Sequence, residues 1–202
     1  MRVNKKNKNF VYLISPNKIK NEKFYIKLNQ ALSSNKVSFF QLRLKKESFK
    51  NKIYIGKKIK KICKKYQVKF LINDDPVIAK KINADGCHLG QKDMNILNGR
   101  KILKNKIIGI TCHNSINLAK KAISNGANYL AFGAFYPSKT KKVKYKASLK
   151  ILRLAKKLTN TPIVAIGGIK DTNYKKLLLN KANFLAISGY IWNNKKLIQK
   201  KL

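Results

Sequence analysis

Acidic side chains are what this 202-residue chain has least of: seven Asp and Glu stand against 47 Lys and Arg, a formal net charge of +40. Arginine is almost as scarce, since Arg2, Arg43, Arg100 and Arg153 are the whole set and every other cation is Lys. Cys63, Cys87 and Cys112 are odd in number and lie in no paired spacing, which excludes a disulfide framework and a zinc module and leaves reduced thiols. No apolar run could span a bilayer, the longest being 129–137, and no early apolar run with a cleavage site suggests export. The chain is therefore expected in the cytoplasm, without a membrane partner. Nor is it short of apolar residues: at 44% hydrophobic it can bury a real core, and its length suits one domain over 1–202.

A field of that sign disfavours compaction and attracts polyanions. Lysine accompanied by abundant Asn and Ile also follows from an A- and T-rich base composition, which places charge on solvated faces without function. A nucleic-acid-binding protein would need a basic stripe interleaved with stacking aromatics. Here Lys is spread over every predicted helix, so no specific nucleic-acid partner is expected. The minority residues become the informative ones.

Runs rich in β-branched and aromatic residues at 10–14, 39–44, 69–73, 86–89, 107–111, 129–134, 162–166 and 184–188 predict eight strands buried on both faces. Between them, apolar residues spaced three or four apart, such as Ile53, Ile55, Ile59 and Ile62, or Leu149, Leu152, Ala155 and Leu158, predict helices. Asp75 before Pro76 reads as a helix N-cap, and Asn125-Gly126 as a helix end. Eight units of about 25 residues each predict an α/β fold, a single (β/α)8 TIM barrel. An open doubly wound sheet is the alternative, and the absence of a G-x-G-x-x-G turn speaks against it.

In such a barrel, chemistry sits at the carboxyl ends of the strands. The second run ends Gln41-Leu42-Arg43-Leu44-Lys45, and alternation sends Gln41, Arg43 and Lys45 to one side. Arg in a Lys-dominated chain suits bidentate phosphate binding, the bland alternative being a strand-end cation reaching solvent. Asp74 follows the third run and Asp93 the fourth, a pair suited to Mg²⁺, unless Asp93 merely caps the helix before Asn95. The fifth run ends Thr111-Cys112-His113; His113 and, still more, His88 are weak as single signals. The sixth opens into Ser138-Lys139-Thr140-Lys141-Lys142, hydroxyls and ammoniums that suit phosphate oxygens or a solvated face. Gly167-Gly168 and Ile187-Ser188-Gly189 follow the last two runs, the usual phosphate-binding position of these barrels. Two anionic subsites in one mouth suit a joining reaction that expels pyrophosphate.

The combination of Q-L-R-L-K at 41–45, I-N-D at 72–74, A-D-G-C-H-L-G-Q-K-D at 84–93, F-G-A-F-Y-P-S-K-T-K at 132–141 and V-A-I-G-G-I at 164–169 resembles the thiamine phosphate synthase and thiazole tautomerase superfamily over nearly the whole chain. The resemblance implies transfer of an aminopyrimidinylmethyl group from its diphosphate to the nitrogen of thiazole phosphate, with small-molecule substrates and Mg²⁺ as cofactor. It implies that Gln41, Arg43, Lys45, Asn73, Thr111 and Lys141 hold the pyrimidine diphosphate, with Arg43, Lys45 and Lys141 the catalytic cations. Asp74 and Asp93 would bind the metal, and Ser138, Thr140, Gly168, Ile187 and Ser188 the thiazole phosphate. Departures from the usual pattern are Thr111 for Ser, Ser138 for Thr, and Asp75 where a basic residue often stands. A thiazole tautomerase or inactive paralogue on the same barrel is the alternative, disfavoured by retention of Arg43, Asp74, Asp93 and Lys141 together. No apolar stripe announces an oligomer, and assembly stays open.

Overall fold

Eight strands and eight helices alternate along the chain in the computed structural model, which describes residues 10–137 and 144–194. They are β1 (Val11–Ile14), α1 (Glu22–Leu32), β2 (Val37–Leu42), α2 (Phe49–Lys65), β3 (Lys69–Asn73), α3 (Pro76–Lys81), β4 (Gly86–Leu89) and α4 (Ile96–Leu103). The second half repeats the order: β5 (Ile107–His113), α5 (Ile116–Ser124), β6 (Tyr129–Gly133), α6 (Leu149–Leu158), β7 (Ile163–Ile166), α7 (Tyr174–Leu179), β8 (Phe184–Ile187) and α8 (Gly189–Trp192). Each strand pairs in parallel with its sequence neighbours, and β1 pairs with β8, so the sheet closes into the expected (β/α)8 barrel. Among the described residues no helix is long and apolar enough to cross a membrane.

The strand expectation needs one correction of substance. β2 ends at Leu42, two residues before the predicted limit, because side chain replaces main chain as its partner. The Ser15 N–H donates to Gln41 O at 2.9 Å, and the Ser15 hydroxyl then accepts from the Arg43 N–H at 2.9 Å, which ends the ladder with β1. Gln41 therefore sits on the strand, whereas Arg43 and Lys45 project from the loop beyond it.

Two hydrophobic layers hold the molecule together. The larger lies between strands and helices and contains Ile55, Ile59 and Cys63 of α2 and Leu152 and Ala155 of α6. The second fills the barrel with Tyr12, Ile14, Leu71, Tyr129, Ala131, Val164 and Ala186, with Phe39, Ile107, Ile166 and Phe184 packed against them. Gly109 makes room inside: a Cβ there would stand 1.8 Å from Cζ of Tyr129, so only glycine lets that ring cross the barrel. All three cysteines are buried and free. Burial pushes the Cys112 thiol up to about 12, which leaves it inert.

Caps set the helix limits. Ser48, Asp75, Asn95 and Ser115 accept hydrogen bonds from the N–H groups of Asn51, Ile78, Asn98 and Leu118, satisfying first-turn donors as predicted for Asp75. At the opposite ends, Gln67, Asn83, Gly126 and Lys181 adopt positive φ of 55°, 52°, 82° and 76°. The next N–H in each case returns to the helix, as from Ala84 to Ala79 O at 2.8 Å and from Ala182 to Leu177 O at 3.1 Å. Asp85, Asn128 and Asn183 then accept from the N–H groups of Phe70, Ile108 and Ile163 on the preceding strands, at 2.9, 2.8 and 2.9 Å. Strand entry is thereby locked to strand entry around the closed end of the barrel, and the carboxyl ends are left for chemistry.

Candidate active site

The loops after β2, β3 and β4 bring three sequence-predicted residues together. Lys45 Nζ lies 3.0 Å from Asp74 Oδ2, and the Asp74 and Asp93 carboxyls hydrogen-bond each other. Below them Gln41, 3% exposed at the end of β2, donates from Nε2 to Asn73 Oδ1 at 2.6 Å. A hollow of about 350 Å³ opens beside this group, lined by Lys45, Lys52, Asn73, Asp74 and Asp75 over an apolar floor that includes Leu42, Leu44 and Ile78. Asp74 holds its place on the rim with φ +65°, its N–H given to His88 O at 2.8 Å. Asp93 does not cap α4, since Asn95 does; its Oδ2 accepts from the Gly90 N–H at 2.7 Å.

The two acids are pushed apart electrically. Burial opposes ionisation of Asp74, but hydrogen bonds from Asp93 and Lys45, with the Lys45 charge, outweigh it and hold its carboxyl below the ordinary value. Burial and the hydrogen bond with Asp74 raise the Asp93 carboxyl. The two carboxyls are thus shifted in opposite directions, with Lys45 as the one cation bonded to Asp74 among the described residues. Two hard oxygen donors held together in this way suit a divalent cation, and Mg²⁺ takes one or two protein carboxylates and fills its shell with phosphate oxygens and water. The donors present fit that ion. No cluster of three or more His, Cys, Asp or Glu occurs among the described residues, so the fit depends on oxygen from the substrate.

Arg43 sits a little apart from this group. Its backbone N–H is tied to Ser15, and its guanidinium reaches Asn17 Oδ1 at 2.5 Å, so the half-buried fork is held at the mouth between the loops after β1 and β2. Neither Ser15 nor Asn17 carries a sequence signal for this role. Next to Arg43 across β1, Ile187 ends β8, and the Ser188 hydroxyl donates to Ser15 O at 3.2 Å. Gly168 has φ +62°, and a Cβ on it would come within 2.2 Å of Pro137 O, so the loop after β7 lies tight against the segment after β6. Tyr136 N–H closes that contact on Gly167 O at 3.1 Å. Ser138, Thr140 and Lys141 lie outside the described residues.

Thr111, half-buried on β5, is joined to a polar chain that sequence reasoning undervalued. Nε2 of His88 is 2.9 Å from Thr111 Oγ1, Nδ1 of His88 is 2.8 Å from the Tyr129 hydroxyl, and that hydroxyl is 2.8 Å from the Tyr12 hydroxyl. His88 was the weaker of the two histidines by sequence. The signal that finds it is the alternation used for Gln41: on β4 the residue two after Gly86 faces inward. Burial lowers the His88 pKa to about 4, the nearby Asp74 charge opposing and Arg43 assisting, so the imidazole is neutral. His113, by contrast, ends β5 with its ring stacked on Tyr145 at 4.1 Å, a packing role.

A family profile described as thiamine monophosphate synthase matches residues 11–191. The chain belongs to the thiamine monophosphate synthase family. Within the family, a thiamine-phosphate synthase of Pelagibacter ubique (strain HTCC1062) is 75% identical over 196 residues, 97% of this chain and 95% of that one. A thiamine-phosphate synthase of Nitrosomonas eutropha (strain DSM 101675 / C91 / Nm57) is 40% identical over 158 residues, 78% of this chain and 74% of its own. The solved structure of a thiamine phosphate pyrophosphorylase from Pyrococcus furiosus superposes with a TM-score of 0.83 at 27% identity, covering 98% of this chain and 94% of that one. A 3-hexulose-6-phosphate synthase, at 15% identity and a TM-score of 0.67, shares the barrel fold alone.

Proposed function

We propose that the barrel mouth carries out the family's transfer by holding the pyrimidine diphosphate over the loops after β2 to β5 and the thiazole phosphate over those after β7 and β8. The activity is thiamine-phosphate synthesis, catalysed by a transferase. The methylene C–O bond of the pyrimidine diphosphate breaks, its electron pair leaves on pyrophosphate, and the thiazole nitrogen lone pair forms the new C–N bond to the same carbon. Electron release from the aminopyrimidine stabilises the positive carbon, so the chain's main tasks are to hold a leaving anion and align a nucleophile.

The contact between Asp74 and Asp93, with Lys45 against Asp74, carries this reading, because it assembles carboxylates and cation from three successive loops at the carboxyl ends of the strands. Lys45 and Arg43 would bind diphosphate oxygens, with Lys141 added from the sixth loop. Gln41, Asn73 and Thr111 would hold the pyrimidine side, and Gly168, Ile187 and Ser188, with Ser138 and Thr140, the thiazole phosphate. Asp74 and Asp93 would hold Mg²⁺, whose chemistry when bound is neutralisation of charge on the leaving diphosphate. The reaction belongs in the cytoplasm on this reading, which the three buried free thiols support. A single barrel domain over the whole chain, small-molecule partners and no specific nucleic acid complete it.

The test is pyrophosphate release by the full chain given both substrates, with Mg²⁺ and after chelation. Release that requires both substrates and stops on chelation is the expected result. Turnover indifferent to divalent cations would remove the metal, and no pyrophosphate at all would leave a paralogue without synthase activity.

A further inference from the structure

The hydroxyl chain inside the barrel has a direction. Tyr12 is 2% exposed and Tyr129 3%, so each hydroxyl proton must find an acceptor within the protein. Among the described residues, the Tyr12 hydroxyl meets one polar partner, Tyr129 Oη, at 2.8 Å. It therefore donates to Tyr129, because the reverse arrangement would bury an unpaired O–H, a far costlier defect than an unused lone pair. Tyr129 then gives its own proton to His88 Nδ1, 2.8 Å away. A neutral imidazole that accepts at Nδ1 carries its proton on Nε2, which lies 2.9 Å from Thr111 Oγ1. Thr111 accepts that bond, and its own proton is left for the mouth.

We propose that His88 is a positioning residue, held as the Nε2–H tautomer by the Tyr12–Tyr129 relay, and that it turns the Thr111 hydroxyl into a hydrogen-bond donor toward an acceptor oxygen of the pyrimidine diphosphate. The direction matters because diphosphate oxygens only accept. Were the relay reversed, Thr111 would spend its proton on His88 and present lone pairs to an anion. The interior chain thus sets the sign of a contact at the rim without itself touching substrate. The substrate half of this inference rests on the diphosphate placement proposed above; the tautomer half does not.

The tautomer is read by ¹⁵N NMR of the imidazole in the ligand-free full chain. His88 and His113 are the only two histidines, so a His113→Gln variant leaves His88 alone in the spectrum. The expected result is a protonated Nε2 and an unprotonated Nδ1 near neutral pH; an Nδ1–H tautomer, or an even mixture, would overturn the inference. Tyr12→Phe leaves the buried Tyr129 hydroxyl with His88 Nδ1 as its one acceptor, so the Nε2–H tautomer and the KM for the pyrimidine diphosphate should both persist. An Nδ1–H imidazole in Tyr12→Phe would refute donation from Tyr129 to His88. Thr111→Val should lower kcat/KM for the pyrimidine diphosphate by about 10- to 100-fold, with the KM for thiazole phosphate unchanged and Thr111→Ser restoring most of the loss. An undiminished Thr111→Val would overturn the substrate half. Absence of pyrophosphate release by the wild-type chain would defeat the functional reading while leaving the tautomer result standing.

Discussion

Lys45 Nζ stands 3.0 Å from Asp74 Oδ2, a bond between the loops that leave β2 and β3. The Lys45 side chain is 51% exposed and that of Asp74 27%, and ion pairs so open to water contribute about 1 kcal/mol or less to folding. Lys45→Ala should therefore leave the melting temperature within a few degrees of wild type and lower pyrophosphate-releasing turnover by about 100-fold, the usual cost of one donor to a developing anion. Thermal melts run beside the two-substrate assay separate the effects, and parallel losses in both would mark Lys45 as structural.

Gly109→Ala should be among the most damaging small substitutions in the barrel. The added methyl would lie 1.8 Å from Cζ of Tyr129, and that ring is bonded on both sides, to Tyr12 and His88. Overpacking with loss of these bonds should cost about 3 kcal/mol or more, read as a lowered urea midpoint. Unchanged stability would mean that the Tyr129 ring does not cross the barrel at Gly109.

His88 should make stability pH-dependent in a defined window. Burial first, opposed by Asp74 and assisted by Arg43, lowers its pKa from 6.5 to about 4, with Tyr129 and Thr111 facing its two nitrogens. The unfolded chain takes up a proton near 6.5 while the folded chain does so only near 4, so the contribution is full above 6.5 and is lost as pH falls toward 4. The slope is about 1.4 kcal/mol per pH unit, or about 3 kcal/mol across the window. Urea midpoints against pH for wild type and His88→Gln should diverge there, the variant being flatter.

Arg100 accounts for one of the four arginines without any ligand. Its two terminal nitrogens donate to Lys104 O, Lys106 O, Gly126 O and Asn128 Oδ1, joining the end of α4 to the turn after α5. A lysine ammonium cannot reach four acceptors with that planar spread, so Arg100→Lys should lose about 1–2 kcal/mol of stability with turnover unaltered. Loss of turnover at unchanged stability would contradict a purely structural role.

Much of the architecture was legible because it is local. Eight apolar runs separated by amphipathic segments specify alternating strands and helices, and β3 and β4 fall at their predicted limits. Asp75 and Pro76 announce the start of α3, because the cap hydrogen bond spans three residues. Helix ends were less so: Gly126 marks one left-handed turn, but Gln67, Asn83 and Lys181 make the same turn without glycine, held by bonds to their own helices. The limit of β2 was hidden because the residue that ends it is Ser15, just past the end of β1.

The candidate site divides in the same way. Asp74, Asp93, Arg43 and Lys45 stand out in the chain by scarcity and by position after strand runs, properties a sequence carries by itself. That Lys45 faces Asp74, that Asp93 meets Asp74, and that Arg43 is steadied by Asn17 depend on which loops the barrel closure makes adjacent. His88 is the clearest case. As a sequence feature it is one histidine in a short strand, and only the closed barrel sets Tyr129, forty-one residues on, against one nitrogen and Thr111 against the other. The sequence by itself determined the order of elements and the polar residues at their ends, since both follow from short-range periodicity and capping. Only the tertiary structure decided which of those residues share a bond, because that is set by closing eight strands around a common interior.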